Sequence, residues 1–101
     1  MATRLQLHNE LVRLLGSTNV YYQPPESIKM EYPAIKYSIS NIKGRFANDA
    51  TYSQLRSYEI IVIDKKPDNQ VIDKLLTLPY CSFNRNYKAD GLNHDVFTLY
   101  F

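Results

Sequence analysis

The sequence predicts an α+β domain: an antiparallel or mixed β-sheet with two helices packed on one face, in the order α-β-β-β-α-β-β, with a β-hairpin arm projecting from it. Three observations carry this reading. Leu7, Leu11, Leu14 and Leu15 recur at helical spacing. In "EYPAIKYSIS", Ile35, Tyr37 and Ile39 alternate with Lys36, Ser38 and Ser40, which is the period of a strand with one wet side. In "LRSYEIIVID", Tyr58, Ile60 and Val62 form one face and Ile61 and Ile63 the other; apolar residues on both faces mark a central strand, or a strand whose second face a partner covers.

The elements follow in order. Residues 3–15 read as a helix, with Thr3 and Gln6 at capping-box spacing, Leu5 and Val12 widening the apolar stripe, and Gly16 as the stop. His8, Glu10 and Arg13 look outward from it, with His8 a solvated side chain. Val20 to Gln23 is a short extended piece ended by Pro24-Pro25, which cannot donate ladder hydrogen bonds. The strand over 33–42 starts on Pro33, where a proline costs no ladder bond, and turns its odd positions inward. "NIKGRFANDATYSQ" is polar, with turn chemistry at Gly44 and Asn48-Asp49, and reads as a hairpin arm carrying Lys43, Arg45 and, across the turn, Arg56. After the central strand over 55–64, Asp68 following Pro67 is the expected N-cap of a short helix with Val71, Ile72, Leu75 and Leu76 inward, ended by Pro79. Asp90-Gly91 is a hairpin signal between strands over 82–88 and 93–101. In the last strand Phe97, Leu99 and Phe101 form one apolar face, Val96, Thr98 and Tyr100 the other, and the final aromatic is expected to be tied down.

A length of 101 residues is that of one domain, 1–101, since two would leave neither half enough material for a core. The 45% hydrophobic and 22% charged composition is globular and argues against disorder. A net charge of +2 is too small to argue for nucleic acid by itself. The apolar residues of the first seventeen positions are interrupted by His8, Asn9, Glu10 and Arg13, unlike a signal peptide, and no run approaches a membrane span. A lone cysteine excludes an internal disulfide and fits an intracellular assembly setting. Nine tyrosines without a tryptophan is unusual. Singly, tyrosines fill half-exposed strand positions; as a set, some are expected to face a partner.

No constellation of residues points to catalysis. His94 and Asp95 are strand neighbours and point to opposite faces, so they form no dyad. Cys81 without a second cysteine offers no thiolate cluster and reads as a half-buried thiol. Gly16, Gly44 and Gly91 each sit at a break between elements, so no phosphate loop exists. Asp64, Asp68 and Asp73 read as loop and helix-start residues. No catalytic residue, metal or cofactor is therefore expected. The basic groups Lys43-Gly44-Arg45, Lys65-Lys66 and Arg85 to Lys88 keep a small nucleic-acid-binding module as an alternative, although "SYEIIVID" lacks the dense basic and aromatic motif of an RNA-reading strand.

The succession of Tyr32, Pro33, Ile35 and Tyr37, then a polar arm, then Tyr58, Ile60 and Val62, then Val71 to Leu78 after a Lys/Asp-rich turn, then Asp90-Gly91 and an apolar Phe97 to Phe101, resembles the small tail terminator, or tail-completion, proteins of long-tailed phages. The likeness runs over residues 3–101, and order and spacing carry it rather than any one piece. It implies the lambda-type tail terminator fold and a structural, non-enzymatic assembly role in the virion tail and neck, after assembly in the host cytoplasm. It further implies a homo-oligomeric ring, a hexamer, that caps the major tail tube protein and joins it to the neck or connector protein; genomic DNA passes through without specific binding, and no membrane is involved. A head-closure or other neck ring component is the neighbouring alternative. On this reading Lys43, Arg45, Phe46, Tyr52 and Arg56 are the candidate arm and subunit-interface residues. Lys36, Ser38, Ser40 and Tyr58 are the candidate ring surface.

Overall fold

The computed structural model describes residues 3–25, 27–47 and 50–101, with side chains described outside 41–55. The elements are α1 (Arg4–Leu15), β1 (Val20–Tyr22), β2 (Ala34–Ala47), β3 (Ala50–Asp64), α2 (Val71–Leu76), β4 (Cys81–Ala89) and β5 (Leu92–Tyr100). The strands form one mixed sheet in the order β1-β2-β3-β5-β4, with β1 parallel to β2 and every other pair antiparallel. The fold is α+β with both helices on one face, as the sequence predicts.

The helix-covered face is built from rows of cross-strand partners. Tyr22, Tyr37, Ile60, Phe97 and Phe83 form one row; Ile39, Tyr58, Leu99 and Cys81 the next. Leu7, Leu11 and Leu14 of α1 and Val71 and Leu75 of α2 close over them to make the core. α1 starts on the expected capping box: the Gln6 N–H donates to Thr3 Oγ1 at 3.2 Å and the Thr3 N–H to Gln6 Oε1 at 2.7 Å. It stops at Gly16, whose φ of 78° is the left-handed conformation that a Cβ would strain. Val12 packs against the core, but Leu5 does not widen the stripe: it is 62% exposed, in the first turn.

α2 departs from expectation at its start. Asp68 is not its cap; it sits at φ 58°, and the helix begins three residues later. Asn69 does the local work instead. Its Oδ1 accepts from the Val71 N–H at 2.8 Å and its Nδ2 donates to Asp64 Oδ2 at 2.6 Å, so one side chain ties the end of β3 to the first turn of α2. The β4–β5 turn follows the sequence signal: Asp90 and Gly91 have φ of 52° and 75°, the pair of positive values that a two-residue type I′ hairpin needs.

The second face of the sheet explains why β3 is apolar on both sides. β3 is central in the sheet. Ile61 and Ile63, with Val96 of β5, form a second, smaller core against Met30 and Leu92. Met30 belongs to the segment 23–33, which must cross over the sheet because β1 and β2 are parallel. Pro24, Pro25, Ile28, Met30 and Tyr32 of that crossover lie around Lys36 and Ile63. The chain's own loop, rather than a partner, covers these isoleucines. Phe101 is held as expected, its N–H donating to the Arg56 carbonyl at 3.1 Å and its ring against the main core.

Phe97 sits at the centre of this construction, 0% exposed between Ile60 and Phe83. Phe97→Ala removes a full aromatic and leaves a cavity, and should cost about 3–5 kcal/mol. Against the roughly 5–15 kcal/mol typical of a domain, urea unfolding should show a strongly lowered midpoint.

Candidate functional site

The expected arm is a two-stranded ribbon. The last β3–β5 pair is Ser57 with Tyr100, and the last β1–β2 pair is Tyr22 with Tyr37. The β2–β3 ladder nevertheless continues from Asn41↔Ser57 to Ala47↔Ala50. Residues 42–47 and 50–56 therefore form ladder pairs only with each other among the described residues, while at the root the Arg56 carbonyl also accepts from the Phe101 N–H. At about 3.3 Å per residue the ribbon is ~20 Å long. Its register shifts twice, between Ile39 and Asn41 and between Arg45 and Phe46. The first shift leaves Ser40 as the bulged residue at the root, where its Oγ donates to the Ser57 carbonyl at 3.0 Å and shares a hydrogen bond with Ser57 Oγ at 2.8 Å.

The backbones of Lys43, Arg45 and Phe46 pair with Leu55, Ser53 and Thr51, and Tyr52 falls at the second register shift. The side chains of Lys43, Arg45, Phe46 and Tyr52, and the turn residues Asn48 and Asp49, lie outside the described residues. Arg56 is half-buried at the root, and its Nε finds no hydrogen-bond partner among the described residues.

Of the candidate ring surface, Lys36, Ser38 and Ser40 lie where the alternation puts them, away from the helices and half-buried or exposed. Tyr58 does not belong with them. It is 2% exposed, packs in the main core, and its ring lies 6.3 Å from that of Tyr37. The β3 register sets Tyr58 opposite Ile39 and Leu99, on the helix-covered side.

His8 is not merely solvated. Its Nδ1 lies 2.7 Å from the Tyr37 hydroxyl, to which Arg4 Nη1 donates at 3.3 Å. The phenol oxygen accepts from the guanidinium and shares a second hydrogen bond with the imidazole nitrogen. The Arg4 guanidinium also stands over the Tyr22 ring at 4.4 Å. This cluster fastens α1 to β1 and β2. Burial pushes the Tyr37 phenol above its ordinary value, with the Arg4 hydrogen bond opposing it, so it holds its proton at neutral pH.

His94 and Asp95 take opposite faces. His94 stacks on Tyr87 at 4.7 Å, while Asp95, 7% exposed, lies on the helix side and accepts from Asn86 Nδ2 at 2.7 Å. Burial raises the Cys81 thiol above its ordinary value, away from the thiolate a nucleophile needs. Among the described residues no three His, Cys, Asp or Glu side chains gather as a metal site, and no helix is long and apolar enough to cross a membrane.

The exposed edge strand is what the sequence reading missed. β4 is exposed along nearly its whole length and is bulged between Phe83 and Arg85. Large apolar side chains stand out around it: Phe83 is 48% exposed, Leu76 of α2 45%, and Tyr80 80%. Between β4 and α2 runs a groove of about 420 Å³ lined by Pro67, Asp68, Ile72, Leu76, Phe83, Asn86, Asn93 and Asp95. The signal in the sequence was the run "SFNRNYK", polar at most positions on both sides, as suits an edge rather than an interior strand. Comparison with family models, with curated proteins and with solved structures gave no match.

Tyr37→Phe keeps the ring and removes the hydroxyl shared by His8 and Arg4, and should lower stability by about 1 kcal/mol. Because the folded-state value of Tyr37 is raised, its contribution is full below the ordinary value of 10.0 and is lost as pH rises through the folded value. Thermal unfolding from pH 8 upward should therefore show a shallower alkaline decline for Tyr37→Phe than for the wild type. Parallel declines would remove Tyr37 from the account.

Proposed function

We propose that the chain is a ring-forming assembly subunit, a tail terminator of a long-tailed phage, whose copies close into a hexamer on the tail tube and present the surface to which the neck attaches. The observation that carries this reading is the ribbon of residues 42–47 and 50–56, which continues the β2–β3 ladder past every other strand of the sheet. An isolated two-stranded ribbon is marginal in water. A chain that extends one well beyond its own sheet gains from it when the ribbon's surface is buried against another molecule.

The sheet edges support a closed assembly rather than an open fibre. β1 has three residues and runs into Pro24-Pro25. β4 carries a bulge and the charges of Arg85 and Lys88. These are the devices by which edges avoid indiscriminate strand pairing. Ring contacts are heterologous, one patch meeting a different one on the neighbour, and a projecting arm on one side of a subunit suits that arrangement. A head-closure ring would use the same arm; binding to tail tubes, as opposed to neck components, separates the two.

Replacing residues 44–54 by an Asn-Gly turn joins Lys43 to Leu55, which already face each other in the ladder. The shortened chain should fold, with an unfolding midpoint close to that of the wild type, and should lose ring formation in sedimentation velocity. Rings formed as readily as before would remove the arm from the interface.

A further inference from the structure

The groove between α2 and β4 has an occupant suggested by its chemistry. Its rim is apolar, with Ile72, Leu76 and Phe83. Its lining carries two carboxylates, Asp68 and Asp95, and no cation. Asp95 is more than nine-tenths buried, and the hydrogen bond from Asn86 reaches its Oδ1. A carboxylate offers about four acceptor positions, and a buried one is stabilised by a cation that completes them. The surface is thus suited to a strand or loop bearing both apolar and basic side chains, and is wrong in sign for a nucleic acid.

The arm has that composition. Between 41 and 56 the sequence places Lys43, Arg45 and Arg56 against the single acidic residue Asp49, together with Ile42, Phe46, Tyr52 and Leu55. It cannot reach the groove of its own subunit. Asp95 pairs with Val62, six residues along β3 from Arg56 at the arm root, and the ribbon leaves the sheet in the opposite direction. That separation is roughly 20 Å, away from the ribbon's course. Arm and groove therefore lie toward opposite ends of the β3–β5 pair, as two complementary patches of a heterologous contact must.

We propose that the arm of one copy seats in the α2–β4 groove of the next, with its basic residues meeting Asp68 and Asp95. This rests on the ring reading and names its contact. Each subunit then gives one arm and receives one, so the contact propagates around a ring instead of ending at a pair. The exposed Leu76 and Phe83 become the apolar rim against which the ribbon packs, and the carboxylates fix its position.

The test is a charge exchange followed by sedimentation equilibrium. Asn93→Lys sets a cation among the groove residues without touching the core, and Lys43→Glu with Arg45→Glu reverses the arm. Each alone should weaken self-association about tenfold or more, and their combination should restore most of the loss. A second measurement does not depend on those variants folding: in a Cys81→Ser background, Leu76→Cys chains mixed with Arg45→Cys chains should form a mixed disulfide dimer under mild oxidation. Rings that tolerate both charge changes, or that lose association without rescue and give no mixed disulfide, overturn the seating while leaving the ring reading in place. A wild-type chain that stays monomeric at every concentration, and on tail tubes, overturns the ring reading and the seating with it.

Discussion

The pairing of β2 with β3 is the constraint on which the rest of the structure depends. It runs from Ala34↔Ile63 to Ala47↔Ala50, and it does two different things along its length. Over Ala34 to Ile39 it aligns Ile35, Tyr37 and Ile39 with Val62, Ile60 and Tyr58, which gives the helices a single apolar floor. Beyond Asn41 it is a ribbon with no third strand among the described residues. The change falls at one place, the bulge at Ser40, where two serines hold the shifted register. Register in a strand is all or nothing, because a slip of one residue sends every side chain to the other face. The apolar alternation of the body therefore also fixes where the arm starts.

The second dependence is on the parallel β1. A parallel neighbour cannot be reached by a tight turn, so the chain must cross the sheet between Tyr22 and Ala34. That crossover is what buries Ile61, Ile63 and Val96 beneath Met30. The helix face and the crossover face together make β3 an interior strand in both directions. Outside these two layers, β4 is exposed along nearly its whole length and the β2–β3 ladder runs on past the other strands.

Much of this was legible in the residues. Alternation in β2, the double apolar face of β3, the Thr3–Gln6 box, the Gly16 stop and the Asp90-Gly91 turn are local signals, and each reports a local energy that the fold respects. The misses are those where a distant contact decides. His8 looks solvated on a helix wheel, but the Tyr37 hydroxyl from β2 meets it. Asp68 is a good cap by type, but the left-handed turn it occupies hands the role to Asn69. Tyr58 shares a strand with half-exposed residues, yet its parity puts it in the core. The groove was hidden for the same reason: Asp68, Leu76, Phe83 and Asp95 come from four separate stretches and meet only in three dimensions.

Under the proposed reading, the guarded edges, the arm on one side and the acidic, apolar-rimmed groove on the other belong to a subunit that meets copies of itself. Electron microscopy of growing tail tubes incubated with the purified chain tests this most directly. Closed rings seated on one end of each tube, and tubes that stop lengthening once capped, are the expected result. Tubes that continue to grow, with the chain remaining a free monomer in the same mixture, would contradict it.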